Sequence, residues 1–105
     1  MIRSDQPAGS ERVPRSQDPL RTLAEQARDG DRSAQRTLLN AVGGPMLRAA
    51  RGVLGARSHE LDDVLQDGYV AFLAALPRFR GESTVMHFAC RGAVLTAMNE
   101  RRRRS

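Results

Sequence analysis

The sequence predicts an all-α protein, a compact bundle of four main helices, from its composition and from the spacing of its apolar residues. The chain has 105 residues, of which 14 are Ala and 11 are Leu, against seven Val and one Ile. Ala and Leu favour helices, whereas β-branched residues favour strands. The hydrophobic fraction of 40% and the nine glycines are typical of a globular chain, and the length suits one domain. With one Tyr, three Phe and no Trp, the core is expected to consist mainly of Leu, Ala and Val.

The first predicted helix follows a polar N-terminal segment. Residues 1–17 contain two prolines and show no apolar periodicity, so we expect a disordered leader there. The predicted domain covers residues 18–105. Its first helix begins with Asp18 as the cap and Pro19 at the first helical position, continues with Leu and Ala at helical spacing, and ends at Gly30.

The second predicted helix begins at Asp31, which is a favourable N-cap residue. Apolar residues continue at helical spacing on both sides of residues 43–45, whose sequence is Gly-Gly-Pro. We expect this tripeptide to break or kink the helix, because proline removes a backbone donor and glycine is a weak helix former. The apolar stripe then resumes and ends at Gly55.

The third predicted helix covers about residues 59–76, with Ser58 as its cap and Pro77 at its end. At about 100° per residue, one side is apolar and is expected to face the core. Its members are Leu61, Val64, Leu65, Gly68, Phe72 and Leu76. The opposite side carries short acidic, amide and small apolar residues, namely Asp63, Gln66, Asp67, Val70 and Ala74. Short side chains lose little entropy on docking, so this side is a candidate protein interface. The alternative interpretation is that Asp62 and Asp63 simply stabilise the first turn of the helix.

The charge is distributed unevenly along the chain. All 17 basic residues are Arg, and the net charge is +5. Residues 58–76 hold four acids and no Arg, whereas residues 1–57 hold ten Arg against six acids and residues 77–105 hold seven against two. An acidic segment between two basic ones indicates two different partners, and arginine suits contacts with nucleic acid. A genome biased toward arginine codons would also explain the absence of Lys.

Arginine and aromatic residues alternate in the loop before the fourth predicted helix. Arg78, Phe79 and Arg80 could contact phosphates and stack on a base, or Phe79 could fill the core while the arginines are solvated. The helix begins at Ser83 or Thr84. One expected packing face consists of Val85, Phe88, Ala89, Gly92 and Thr96, and a second stripe of His87, Arg91, Val94, Met98 and Arg102. A third side is also apolar, with Met86, Cys90, Ala93 and Ala97, so this helix is expected to be deeply buried or to meet a partner.

No pattern of catalytic or metal-binding residues occurs in the sequence. His59 and His87 are isolated, and the single Cys90 gives neither metal-ligand spacing nor an intramolecular disulfide. We therefore expect no enzyme activity and no cofactor, and a reducing compartment. The N-terminus lacks a secretory signal and no run of about 18 apolar residues occurs, so we expect a soluble, cytoplasmic protein that does not insert into a membrane.

The run LDDVLQDGYVAFLAALPRFRGES at residues 61–83 resembles conserved region 2 of bacterial sigma factors, most closely the extracytoplasmic-function group. An Asp-x-x-Gln-acid helix is followed by Phe-Arg-Gly-Glu-Ser and then by a helix with an aromatic at Phe88 and an Arg at Arg91. Upstream, residues 27–34 are similar to the opening helix-turn-helix of the family. The similarity extends over about residues 18–104.

This resemblance implies two binding tasks. The acidic helix would dock on the coiled coil of the largest catalytic subunit of core RNA polymerase, through Asp62, Asp63, Gln66, Asp67 and Val70. The loop and the fourth helix would engage the non-template strand of the promoter −10 element and aid strand opening. The residues assigned to DNA are Arg78, Arg80, Ser83, Thr84, His87, Phe88, Arg91, Arg101, Arg102, Arg103 and Arg104.

Three departures from the family pattern concern the strand-binding helix. Val94 and Leu95 stand where the family often has Arg-Asn, and Phe88 and Cys90 stand where Trp and another aromatic are common. An alternative function is therefore a sigma-like interaction module that binds an anti-sigma protein, or itself, without productive DNA binding. A generic basic helical DNA-binding protein is a third possibility, although it leaves the acidic helix side unexplained.

Overall fold

Every regular element in the described part of the chain is helical, which confirms the all-α prediction. A computed structural model describes Pro14 and residues 17–55 and 58–103. Four α-helices are described: α1 (Arg21–Arg28), α2 (Arg32–Leu54), α3 (Ser58–Ala75) and α4 (Val85–Arg103), with a 3₁₀ turn at Leu76–Arg78. Residues 1–13, where most of the disordered leader was expected, lie outside the described residues.

Most of the predicted helix ends are confirmed. The Asp31 carboxylate caps α2 by accepting a hydrogen bond from the Ala34 amide at 3.0 Å. Gly30 and Gly55 follow α1 and α2 with φ of 100° and 82°, a left-handed conformation that glycine adopts without steric cost. At the start of α4, the Thr84 hydroxyl accepts from the His87 amide at 3.1 Å, so Thr84 rather than Ser83 is the capping residue.

The expected break of α2 at residues 43–45 does not occur. α2 is a single helix of 23 residues with Pro45 inside it. An internal proline costs about 3 kcal/mol in an exposed helix. Here Val42 and Met46 on either side are fully buried, so core packing holds the backbone helical through the proline. The predicted break was wrong because local propensity was weighed without this burial, whereas the alternative of a kink stays a prediction.

The predicted N-terminus of α1 also needs correction. Helix α1 begins at Arg21, two residues after Pro19, and its N-cap position is Leu20, which makes no side-chain cap. Asp18 is 4% exposed and accepts a hydrogen bond from the Leu20 amide at 3.2 Å. Asp18 therefore forms a turn before α1 instead of capping it, and its second carboxylate oxygen has a distant partner that is described below.

Helix α2 lies at the centre of the bundle and packs against the other three helices. Most of the predicted core face of the third helix is confirmed, because Leu61, Val64 and Phe72 on α3 and Leu76 in the 3₁₀ turn are at most 3% exposed, whereas Leu65 is half-buried. On α4 the buried stripe is displaced from the predicted one. It consists of Val85, Ala89, Ala93 and Ala97, whereas Gly92 and Thr96 are only half-buried. The i, i+4 row of small residues lets α4 approach α2 closely.

Gly43 and Tyr69 form a close contact between α2 and α3. A Cβ atom at Gly43 would lie 2.7 Å from the Tyr69 hydroxyl oxygen and 3.6 Å from the ring carbon that carries it. We expect Gly43→Ala to lower the free energy of unfolding by about 1–3 kcal/mol through overpacking. Adding Tyr69→Phe should restore the free energy of unfolding. Without the hydroxyl, the atom nearest to the new Cβ is the ring carbon at 3.6 Å, which is an ordinary van der Waals distance. Ala also favours the helix by about 1 kcal/mol over Gly. Urea unfolding of both single variants and the double variant tests this, and simple additivity of the two single effects would contradict it.

None of the helices in the described residues combines the length and the apolar character needed to cross a membrane.

Candidate functional site

The acidic side of α3 is exposed to solvent. Asp62, Asp63, Gln66 and Asp67 are all exposed, and Val70 beside them is 62% exposed. Within the described ranges, none of the three aspartates forms an ion pair or a side-chain hydrogen bond. These carboxylates are thus available to cations on another molecule, and the exposed Val70 adds an apolar residue at one end of this side. We name residues 62, 63, 66, 67 and 70 the acidic face.

An open cleft of about 480 Å³ lies where the α3–α4 loop meets the first turns of α4. It is lined by Arg78, Phe79, Arg80, Glu82, Ser83, His87, Phe88 and Arg91. Six of the residues assigned to DNA from the sequence therefore lie together. Glu82 was not predicted, and its negative charge would oppose a phosphate placed beside it. Thr84 caps α4 and does not line the cleft.

Two aromatic side chains, Phe79 and Phe88, line the cleft. The centroid of the Phe88 ring lies 4.9 Å from that of Phe79 and 6.1 Å from that of Phe72. Phe72 is buried, whereas Phe79 and Phe88 are half-buried and pack against the core. Phe79 therefore packs against the core, as one of the two interpretations of the sequence expected, and it also lines the cleft.

Residues at the start of the described chain support the loop, and sequence reasoning missed them in this role. The buried Asp18 carboxylate accepts a hydrogen bond from the Val85 amide at 3.0 Å, the first residue of α4. The Arg21 guanidinium lies 5.4 Å from the Phe79 ring centroid and is also paired with Glu25 at 3.3 Å. No local signal could reveal the Asp18 contact, since its partner is 67 residues away.

Gly81 allows the loop to pass close to Arg21. Its φ is 79°, it is buried, and a side chain built on it would collide with the Arg21 guanidinium. The left-handed conformation favours glycine at this position, and a larger residue would also displace the flexible end of the Arg21 side chain. The loop that carries the cleft arginines therefore packs against the Arg21 guanidinium of α1.

The arginines near the end of α4 lie far from the cleft. Along the helix axis, His87 and Arg101 are separated by about 21 Å, at about 1.5 Å per residue. Arg101 donates a hydrogen bond to the Val53 carbonyl oxygen at 3.3 Å, and Arg103 pairs with Glu100 at 3.3 Å. Arg104 lies outside the described residues. The structure thus separates the DNA residues assigned from the sequence into a cleft group and a distal group.

Nothing in the described part of the chain groups three His, Cys, Asp or Glu side chains into a possible metal site. Burial raises the pKa of the half-buried Cys90 thiol, and the positive charge of nearby Arg48 partly opposes this effect. A raised pKa keeps the thiol protonated and weakly nucleophilic at neutral pH. Cys90 therefore acts as a packing residue in this helix.

Comparison with known families gives one match that bears on this geometry. The family model for sigma-70 region 2 matches residues 38–105, which include α3, the loop, the cleft and α4. Comparison with curated proteins gives no significant match, and comparison with solved structures gives none either. Members of the matched family are transcription initiation factor domains that interact with core RNA polymerase and promoter DNA, and they are not an enzyme family. Since the match covers more than half of the chain, this protein belongs to the sigma-70 region 2 family.

Proposed function

We propose that this protein is an initiation factor domain of the extracytoplasmic-function group that docks on core RNA polymerase and engages the promoter −10 element. The observation that carries this proposal is the pairing, in a sigma-70 region 2 domain, of an unpaired acidic face with an arginine-lined aromatic cleft. We assign residues 18–105 to this domain. The proposed partner is a cytoplasmic enzyme, so the cytoplasm is the proposed site of action.

The acidic face is proposed to bind the coiled coil of the largest polymerase subunit. Its three carboxylates are exposed and would attract basic residues of the partner, while Gln66 offers both a donor and an acceptor. Val70 provides an exposed apolar side chain that loses its hydration on docking. Short side chains on a rigid helix lose little conformational entropy, which favours a stable contact.

The cleft is proposed to bind the unpaired non-template strand. Arg78, Arg80 and Arg91 would contact phosphates, and the half-buried ring of Phe88 would stack on a base turned out of the duplex. Ser83 and His87 supply hydrogen-bonding groups at the rim. Thr84 is proposed to contribute by capping the start of α4. The remaining assigned residues are proposed to contact phosphates farther along the strand: Arg101, Arg102, Arg103 and Arg104.

The salt dependence of strand binding tests this part of the proposal. For single strands, log affinity falls with log salt by about 0.7 per phosphate neutralised. The three cleft arginines alone therefore predict a slope of about −2, and Arg78→Ala/Arg91→Ala should reduce its magnitude by about 1.4. The measurement is fluorescence anisotropy of a labelled −10 non-template oligonucleotide at several salt concentrations. The same sequence as a closed duplex is the control, and equal affinity for both would instead indicate a generic basic DNA-binding protein.

A second candidate function is a sigma-like interaction module that binds an anti-sigma protein or a second copy. Leu95 and Met98 are 48% and 45% exposed on α4, where Val94 and Leu95 replace the polar pair common in the family. Leu95 also lines a groove of about 280 Å³ between α3 and α4. Measurement of the mass in solution, together with strand binding, separates the two functions. A dimer without affinity for the −10 strand would favour this second candidate.

A further inference from the structure

Two exposed rows of side chains on neighbouring helices have the same spacing and complementary chemistry. Four residues of α3 and four of α4 recur at positions i, i+4, i+7 and i+11, which places each set within about 60° of the helix circumference at about 100° per residue. All eight side chains are exposed. The α3 row consists of Asp63, Asp67, Val70 and Ala74, and the α4 row consists of Arg91, Leu95, Met98 and Arg102.

The two rows lie side by side on one face of the bundle. α3 and α4 run in opposite directions, because Phe72 near the end of α3 lies beside Phe88 near the start of α4. Val64, in the second turn of α3, shares a core cluster with Ala97 near the end of α4. A groove with Leu95 among its lining residues separates the two helices. Since α2 packs against the buried sides of both helices, the rows flank this groove and face away from α2.

These rows contain the large apolar side chains that the described part of the chain leaves in solvent. Val70 on α3 and Leu95 and Met98 on α4 are each at least 45% exposed. The strand-binding cleft includes neither Leu95 nor Met98, and neither belongs to the acidic face. Exposed apolar side chains that lie together mark an interaction surface. Polymerase docking and strand binding thus leave the apolar pair of α4 without a partner.

The charges of the two rows are opposite. The α3 row is acidic at its start, whereas the α4 row carries an arginine at each end. Arg91 forms no ion pair within the described ranges, and Arg102 donates a hydrogen bond to Asn99 of its own helix. A second copy, rotated by half a turn about an axis parallel to the helices, lays each α3 row antiparallel on the α4 row of the other copy. Aspartates of one copy then meet arginines of the other, Val70 meets the apolar pair of α4, and every contact is made twice.

We infer that this protein forms a reversible dimer in which the α3 row of each copy packs on the α4 row of the other, so that self-association covers the acidic face. This inference rests on the proposed function, because it makes the second copy a competitor of core RNA polymerase. Each row is about 17 Å long and two neighbouring helices are about 20 Å wide, so the contact covers about 350 Å² of each copy. A stable interface covers about 800 Å² per partner, and we therefore expect a weak dimer with a dissociation constant of about 10 µM.

Reversal of the charges in either row tests this arrangement. The α4-reversed variant carries Arg91→Asp and Arg102→Asp, and the α3-reversed variant carries Asp63→Arg and Asp67→Arg. In sedimentation equilibrium at about 100 µM, we expect the unaltered chain to be mostly dimeric and each variant alone to be monomeric, since like charges then face each other. An equimolar mixture should recover the dimer, because both of its contacts again join opposite charges, and this recovery also shows that both variants are folded. A monomeric unaltered chain would overturn the inference and assign the α4 row to a different protein, and a mixture without dimer would also overturn it.

The effect on polymerase binding has its own measurement. The α3-reversed variant lacks the acidic face, so it does not compete for polymerase directly. Added at about four times its dissociation constant for the labelled α4-reversed variant, it leaves about one fifth of that copy free, and the apparent affinity of the labelled copy for core RNA polymerase should fall about fivefold. The control competitor carries all four changes. Its acidic α4 row repels the acidic face, so it should alter this affinity by less than about twofold.

The two measurements separate failure of the inference from failure of the proposed function. An unchanged polymerase affinity in a mixture that dimerises would show that the dimer leaves the acidic face open, and would overturn the inference alone. If the unaltered chain does not bind polymerase at any concentration, the proposed function is wrong, whereas sedimentation still decides whether the dimer forms.

Discussion

Asp63→Ala/Gln66→Ala is expected to reduce the affinity for core RNA polymerase by at least about 100-fold while leaving the fold unchanged. A few central residues carry most of the binding energy of an interface, and truncating two of them costs about 3 kcal/mol or more. Both side chains are exposed, and neither has an intramolecular partner in the described part of the chain. The free energy of unfolding should therefore change by less than about 0.5 kcal/mol.

The matched control for this variant is Asp29→Ala/Gln26→Ala. These residues offer the same two chemical changes on exposed positions of α1 and its C-terminal end. Titration of each variant against core polymerase gives its affinity, and urea unfolding gives its free energy of unfolding. Equal affinities for the two double variants would contradict the docking proposal. A folded Asp63→Ala/Gln66→Ala protein that binds as tightly as the unaltered chain would do the same.

The outward and inward sides of α3 could be predicted from the sequence because helical periodicity alone relates position to face. Leu61 and Phe72 recur at intervals that place them together, and both are buried. Asp63 and Asp67 fall on the opposite side, and both are exposed. Grouping of the loop arginines with His87 and Arg91 was also predictable, since the loop is short and leads directly into the first turns of α4.

Features that depend on contacts between distant segments could not be predicted in this way. The glycines and proline at residues 43–45 indicated a break, but burial of the neighbouring Val42 and Met46 keeps α2 helical. On α4, apolar residues occur on three sides, so periodicity could not decide that Ala93 and Ala97 rather than Gly92 face the core. Helix propensity and spacing contain no information about which partner helix comes closest.

The contact of Asp18 with α4 is the clearest example, because it joins the start of the domain to the strand-binding cleft. The buried Asp18 carboxylate accepts from the Leu20 amide at 3.2 Å and from the Val85 amide at 3.0 Å. One side chain thus fixes the turn before α1 and the first residue of α4. Arg21, three residues later, lies over Phe79 and fills the space beside Gly81. The geometry of the cleft therefore depends on a segment that precedes the family match.

We expect Asp18→Ala to lower the free energy of unfolding by about 2–4 kcal/mol, because two amides lose a charged acceptor and the Val85 amide stays buried. Asp31→Ala is the matched control, since Asp31 accepts a single hydrogen bond from the nearby Ala34 amide on the protein surface. That loss should cost about 1 kcal/mol. Asp18→Asn, which keeps one acceptor oxygen, should fall between the two.

Measurements at the start of α4 and at the cleft separate a loss of cleft support from a general loss of stability. In Asp18→Ala, hydrogen exchange of the Val85 amide should accelerate more than exchange in the middle of α2, because the start of α4 opens without global unfolding. Affinity for the −10 oligonucleotide should fall under conditions where the variant is still folded, whereas Asp31→Ala should keep it. If Asp18→Ala and Asp31→Ala lost equal stability, and Val85 exchanged at the same rate in both, the carboxylate would be a local turn residue and the proposed coupling of α1 to the cleft would be wrong.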